Sequence, residues 1–124
     1  MDKLKAFEMK CYWKMLKITW REKRTNEFVW RKVTDVLGER PESVVEVIKR
    51  RKLKYYGHQT RKQALAKVII EGRVEGSRER GRPRRQWGDD LKQWSRWSME
   101  ELRRPAENRE RWRWLVHNWV CPRN

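Results

Sequence analysis

Two short patterns in the chain combine residue types that hold metals or carry out catalysis in other proteins. Gly88, Asp89 and Asp90 form a Gly-Asp-Asp string, and adjacent aspartates hold the two divalent metals of many polymerases. Two-metal transfer needs a further carboxylate from a distant segment, and the only other aspartates are Asp2 and Asp35. Acidic residues also favour the first turn of a helix, where they meet its positive dipole end. We therefore interpret the string as a helix start and predict no catalytic residue.

The second pattern is His117 and Cys121, whose H-x3-C spacing is half of a zinc site. Cys11 and His58 are the remaining cysteine and histidine, and no C-x2-C pair is present. We predict ordinary packing for Cys11 and neither a metal nor a cofactor. Neither cysteine has an activating histidine beside it, so no nucleophile is indicated. Two cysteines are too few for a disulfide framework, which favours a reducing compartment.

Two basic stretches carry a stronger signal. Residues 49 to 62 contain seven Lys or Arg and no acidic residue, and residues 72 to 85 contain six Arg against two Glu. A polyanion with closely spaced phosphates neutralises such charge and releases counterions, whatever its base sequence. The alternatives are a nuclear-import signal at residues 49 to 52 or a solubilising surface. The predicted phosphate partners are Lys49, Arg50, Lys52, Lys54, Arg61, Arg73, Arg78, Arg80, Arg82, Arg84 and Arg85.

Aromatic and glycine-proline residues accompany these cations. Tyr55, Tyr56 and His58 place stacking groups beside the first stretch, and we predict that they contact bases or sugars. Pro83 lies among the arginines of the second stretch, which suggests an extended arm that follows a phosphate backbone or enters a narrow minor groove. The sequence thus predicts nucleic acid as the partner, without deciding between RNA and DNA.

The composition shows what must hold so charged a chain together. Its 124 residues are 40% charged with a formal net charge of +16, so self-repulsion opposes compaction. Nine tryptophans offer a large apolar area, which argues against a disordered tail. No apolar run approaches the roughly 20 residues of a membrane span, and the first residues lack the apolar core of a signal peptide. We expect an intracellular, nuclear protein without a membrane partner.

The sequence of the first half of the chain predicts three helices. A helix over residues 3 to 21 has two apolar faces separated by a lysine-rich stripe. Because so short a chain has few residues to cover both faces, we expect one face to pack against a partner outside this chain. Thr25 begins a second helix that Gly38 ends. Ser43 and Glu46 form a capping box for a third, ending near residues 58 to 62. Its predicted inward residues are Val44, Val47, Ile48 and Tyr55.

The second half mixes β-prone and helical patterns. Residues 67 to 74 predict a short strand or hairpin beside the basic arm. Helices are predicted after Trp87, after the Ser98 capping box and after Pro105, the last with Arg109, Arg111 and Arg113 on faces away from its core. Its core stripe is Trp112, Leu115, Val116 and Trp119, and Trp114 falls off that stripe. The predicted fold is mainly α, with helical lobes at 1–62 and 87–124 joined by a basic extended arm at 63–86.

In combination, these motifs resemble the region after the catalytic palm in reverse transcriptases of LINE-type non-LTR retrotransposons, closest to the RTE and jockey sort. The resemblance spans nearly the whole chain. It is carried by AFEMKCYWKMLKITWREKRTNEFVWRKV, KRRKLKYYGHQTRK, EGRVEGSRERGRPRRQWGDDLKQW and AENRERWRWLVHN, and most recognisably by Tyr56-Gly57-His58 and Gly81-Arg82-Pro83-Arg84 before Trp87.

The resemblance implies a thumb-like first part followed by a nucleic-acid-binding extension. It also implies that the catalytic aspartates and the endonuclease lie in sequence that this chain lacks, so no enzymatic activity is expected. The Cys-Cys-His-Cys knuckle of many members is absent. The uncovered face of the first helix would pack on the polymerase palm. Two alternatives stay open, namely a helical module that docks a protein partner and a non-functional retroelement relic.

Overall fold

The computed structural model describes residues 1–62, 65–71, 76, 80–81 and 85–120. These residues form seven α-helices and one 3-10 turn and contain no strand, which confirms the mainly α class. None of the described helices combines the length and apolarity needed to cross a bilayer. The helices are α1 (Asp2–Met15), α2 (Asn26–Leu37), α3 (Val44–Thr60), α4 (Leu65–Ile70), α5 (Asp89–Ser95), α6 (Met99–Glu107) and α7 (Arg109–Val120).

The chain divides into two compact units, residues 1–48 and 49–124, and α3 begins in the first and ends in the second. The predicted arrangement of lobes at 1–62 and 87–124 around an arm at 63–86 stays a prediction. Most of that arm lies outside the described residues.

The first unit contains α1, α2 and the start of α3. The α1 helix ends at Met15, earlier than predicted, because Lys17 adopts a left-handed φ of 54° and a 3-10 turn, Trp20–Glu22, follows. The predicted start and stop of α2 are confirmed. The Thr25 hydroxyl accepts from the Phe28 N–H at 3.2 Å, and Gly38 ends the helix with a φ of 75°.

Glu8 is the buried residue of α1, and its carboxylate caps the start of α3. Its oxygens accept from the Ser43 hydroxyl at 2.8 Å, from the Val44 N–H at 3.1 Å and from the Tyr12 hydroxyl at 3.2 Å. Burial and the Glu8 charge raise the pKa of Tyr12, so the phenol stays neutral and donates. Glu46 accepts from the Ser43 N–H at 3.0 Å as the predicted capping box requires, but the Ser43 hydroxyl donates to Glu8.

The second unit is built around a core of tryptophan and aliphatic side chains. Leu91 and Leu102 are fully buried, and the rings of Trp112, Trp119 and Trp97 make successive edge-to-face contacts at 5.6 and 5.2 Å between centroids. The predicted α7 stripe is confirmed. The core residues are Leu53, Tyr56, Leu91, Leu102, Ala106, Trp112, Leu115, Val116 and Val120.

The buried face of α3 differs from the prediction. Leu53, Tyr56 and Thr60 are buried, whereas Val44 and Tyr55 are exposed at 39% and 46%. At about 100° per residue, these buried residues lie on the side of α3 opposite to the residues that were predicted to face inward. The periodicity of α3 was ambiguous because apolar residues occur on both sides. Contacts with α7 decide which side of α3 is buried, and the sequence of α3 alone does not contain those contacts.

Two further segments differ from the prediction, one in its type of secondary structure and one in its boundary. Residues 65–70 form α4 where a strand was predicted. Ile70 packs against the core. The Lys67 ammonium donates to the Thr60 carbonyl, at the end of α3, over 3.2 Å. The rest of the predicted strand, residues 72 to 74, lies outside the described part. Pro105 lies inside α6, and α7 begins after Asn108, whose side chain accepts from two N–H groups of its first turn.

As predicted, α5 and α6 begin with acidic residues in their first turns. The Asp89 carboxylate accepts from the Gln86 N–H at 2.7 Å, and this hydrogen bond lowers the pKa of Asp89. In α6 the reciprocal bonds of the Ser98 and Glu101 capping box are both present, at 2.7 and 3.3 Å. The bond from the Ser98 N–H lowers the pKa of Glu101.

The Trp112 ring of α7 packs closely over Gly57 of α3. A Cβ atom added to Gly57 would lie 2.3 Å from the Trp112 ring, well inside van der Waals contact. The same indole donates to the Leu53 carbonyl at 2.9 Å, which fixes the ring in place. Only glycine therefore fits at position 57.

Replacing Gly57 with Ala should destabilise the protein, although Gly to Ala inside a helix normally stabilises it by about 0.5–1 kcal/mol. Because the ring must move away from the added methyl, we expect a loss of about 1–3 kcal/mol in the free energy of urea unfolding. His58→Ala, at the exposed neighbouring position, is the control and should stay within about 0.5 kcal/mol. A stabilised Gly57→Ala variant would contradict the close contact.

Replacing Glu8 with Ala should loosen the first unit. The Val44 N–H and the Ser43 hydroxyl lose their acceptor, and we expect a loss of about 1–3 kcal/mol. Amide hydrogen exchange should accelerate in α1 and in the first turn of α3. The control is Glu39→Ala, which removes an exposed carboxylate from the same unit. Equal exchange in the two variants would show that Glu8 does not hold these elements.

Candidate nucleic-acid interface

A groove lined almost wholly by basic side chains lies between α3 and α7 in the second unit. Its volume is about 260 Å³. Lys54 and His58 lie one turn apart on α3. Arg61 continues this wall directly after the helix, and Arg109 with Arg113 forms the α7 wall at the same one-turn spacing. The Trp112 side chain also lines the groove, so the packing that fixes the core also fixes the distance between the walls.

The charge in this groove is of one sign. The lining holds four Lys or Arg side chains, one histidine and no carboxylate. Within the described part of the chain, no acidic group lies in ion-pair distance of Lys54, Arg109 or Arg113. Like charges converging on one concave space repel one another and attract an anion, most strongly an anion that repeats along a chain.

Arg61 is held in place before any ligand binds. Its guanidinium donates to the Ala106 carbonyl at 2.7 Å. Ala106 lies in the last turn of α6, where carbonyl groups have no partner within the helix. A guanidinium has five N–H donors, so four are left for a phosphate.

Lys52 and Arg85 belong to a different cluster, in which they share the single negative charge of Asp90. The Lys52 ammonium lies 2.5 Å from one Asp90 oxygen and 4.6 Å from the centre of the Trp87 ring. Arg85 contacts the other Asp90 oxygen and donates to the Gln93 side chain at 2.9 Å. A phosphate would have to displace Asp90 to reach Lys52, whose side chain is 17% exposed, so Lys52 contributes less to binding than its charge suggests. The Arg85 side chain is 64% exposed, and its contact with Asp90 offsets part of its charge.

The other predicted residues that the structure describes do not line the groove. The Lys49 ammonium lies 5.8 Å from the Trp94 ring, and Tyr55 contacts Trp87 edge-to-face at 5.9 Å. Tyr56 is 1% exposed and packs against Trp112, so its ring is in the core and offers no face to a base. Arg50 is half-buried and Arg80 is exposed. Arg73, Arg78, Arg82 and Arg84 lie outside the described residues.

The α7 wall was missed by the sequence analysis, which placed Arg109 and Arg113 on faces away from the core and went no further. The signal was present in their spacing. At about 100° per residue, both arginines border the buried stripe that contains Trp112, the position from which long side chains reach the rim of a packed face. What the spacing did not contain was the helix on the opposite side.

Among the described residues, no three His, Cys, Asp or Glu side chains gather in a group that could hold a metal ion. Cys11 is a half-buried free thiol. Cys121 lies outside the described part.

The Asp90 cluster predicts unequal chemical reactivity of two lysines on one helix. Lys54 is exposed, whereas the Lys52 side chain is 17% exposed, paired and covered by Trp87. An amine-acylating reagent followed by mass spectrometry should label Lys54 before Lys52. Asp90→Asn should accelerate labelling of Lys52 by about 5-fold, as loss of an interaction of ~1 kcal/mol implies, and leave Lys54 unchanged. Equal labelling in the unaltered protein would contradict the cluster.

Comparison of the chain with family models, with curated proteins and with solved structures found no match. The likeness to retroelement reverse transcriptases therefore rests on the motifs alone and stays a prediction. What the chain does is best argued from the chemistry of its groove.

Proposed function

We propose that this protein binds nucleic acid by holding a phosphate backbone in the groove between α3 and α7, and that it performs no chemistry on the bound strand. The observation that carries the proposal is the lining, with cations on both walls and no carboxylate. A solubilising surface needs no such convergence, because solubility is served by charges of both signs spread over the surface.

Counterion release supplies the free energy of this binding. Each phosphate neutralised releases condensed cations, so the observed association constant falls with salt with a slope of about 0.7–0.9 per contact. Four permanent cations in the groove provide up to about four such contacts. This term is independent of base sequence, and it supports binding without catalysis or a cofactor.

The Tyr56-Gly57-His58 motif links the groove to the motif-level resemblance. Tyr56 packs in the core, Gly57 admits the Trp112 ring and His58 lines the groove. If the chain derives from a LINE-type reverse transcriptase, the groove would hold template RNA or target DNA during RNA-templated DNA synthesis in the parent enzyme. An intracellular, nuclear location is part of the same proposal.

The exposed apolar side chains of the first unit favour a second candidate function, docking of a protein partner. Phe7, Met15, Trp20, Val36 and Leu37 are each more than half exposed. Where such exposed side chains form a contiguous apolar patch, the patch commonly marks an interaction site. This function and nucleic-acid binding involve different units, and their salt dependence separates them, because apolar docking does not weaken as salt rises.

The groove is tested by a triple variant, Lys54→Ala with Arg109→Ala and Arg113→Ala. Loss of three phosphate contacts should lower the slope of log K against log salt by about 2–3 and weaken binding at low salt by roughly 10-fold or more. Affinities for single-stranded RNA, structured RNA and duplex DNA would be measured by fluorescence anisotropy over a salt series.

The matched control is Lys5→Ala with Lys14→Ala and Lys32→Ala, which removes the same charge from exposed positions of the first unit. We expect this control to lower the slope by less than half as much as the groove variant. Equal losses would mean that net charge acts diffusely and that the groove is not the site. Absence of binding by the unaltered protein at low salt would sink nucleic-acid binding altogether.

A further inference from the structure

Trp114 is an exposed tryptophan that the core does not explain. It is 65% exposed on α7, while Trp112 and Trp119 of the same helix pack in the core. Trp20 and Trp87 are also exposed, at 81% and 36%, and each has a cation over its ring. Among the described residues Trp114 has neither a ring contact nor a cation contact. Most of the Trp114 side chain is therefore exposed to solvent.

The open ring lies beside the α7 wall of the groove. At about 100° per residue, His117 lies between Arg113 and Trp114 around the helix, and all three side chains are exposed. The surface of α7 therefore passes from the groove cations through an imidazole to an indole within about two turns. Glu110 is the one carboxylate on this surface, and it lies one turn before Trp114.

We propose that the protein binds single-stranded nucleic acid, with the backbone in the groove and one base stacked on Trp114. This inference rests on the proposed function and specifies its ligand. A stacked base needs a free face, which a strand without a partner offers and a duplex interior does not. The groove has two cationic walls facing one space, which suits one backbone between them. Stacking accepts any base, so this site adds affinity without base specificity.

The test compares Trp114→Ala and Trp114→Phe with the unaltered protein on oligo(dT), oligo(U) and a blunt DNA duplex of equal length, at one salt concentration. Trp114→Ala should weaken binding of both single strands by about 5-fold to 100-fold, the range for loss of one base stack. Duplex binding should change by less than twofold. Trp114→Phe keeps an aromatic face and should recover most of the lost affinity. Trp20→Ala, at an exposed tryptophan of the first unit, should leave all three affinities unchanged.

Several outcomes would overturn the inference. Equal loss on the duplex and the single strands would mean that Trp114 supports the fold or binds duplex. Unchanged single-strand affinity in Trp114→Ala would mean that no base stacks there, as would failure of Trp114→Phe to recover binding. A protein partner that needs Trp114 while oligonucleotides do not would assign the ring to docking. After any of these outcomes, the proposed function is still supported if the groove variant binds more weakly, and with less salt dependence, than the unaltered protein.

A second substitution tests the same geometry through charge. Glu110→Gln removes the carboxylate that lies between the start of α7 and the Trp114 ring, so single-strand affinity should rise by about 2-fold to 3-fold. Glu107→Gln, an exposed position on α6, removes the same charge elsewhere in the second unit and should raise the affinity less. Equal effects would place the strand away from Trp114.

Discussion

The contact between the Trp112 indole and Gly57 determines how closely α3 and α7 approach, and the second unit is organised around it. The indole donates to the Leu53 carbonyl at 2.9 Å, meets the Tyr56 and Trp119 rings and leaves no room for a Cβ atom at position 57. A tryptophan held on three sides cannot slide along the facing helix. The spacing and register of the two helices follow from this one side chain, and so does the separation of the cationic walls.

The tryptophan core also explains how so cationic a unit stays folded. Bringing Lys54, Arg61, Arg109 and Arg113 to one groove costs free energy through repulsion. Burial of large aromatic and aliphatic side chains opposes that cost and is insensitive to the charge above it. Asp90 reduces the repulsion elsewhere by offsetting one of the two positive charges of Lys52 and Arg85. The lining of the groove itself contains cations on both walls and no carboxylate that would offset them.

Local signals predicted much of this fold. Thr25 begins α2 through a hydrogen bond three residues away, and Gly38 ends it by adopting a left-handed φ. Ser98 and Glu101 bond each other within three residues, so the sequence contains every partner. The α7 stripe was predictable because a single apolar face recurs. The α3 face and α4 were not, since packing between distant segments decides them. Half of the groove was predicted from the basic stretch at 49–62. Arg109, Arg113 and the pairing of Asp90 with Lys52 needed the tertiary structure, because their partners lie roughly 40 to 60 residues away along the chain.

The hydrogen bond from Arg61 to the Ala106 carbonyl has a kinetic consequence. An exposed arginine gives up as much as about 2 kcal/mol of rotamer entropy when a ligand immobilises it, and Arg61 has lost much of that freedom already. Lys54 and Arg113 have no ion pair among the described residues. In the complex proposed above, they would make first contact with an approaching strand and act mainly on the association rate. Arg61 would act later, by slowing dissociation. The groove would thus divide capture of a strand from its retention between cations that are still to be ordered and one that is already positioned.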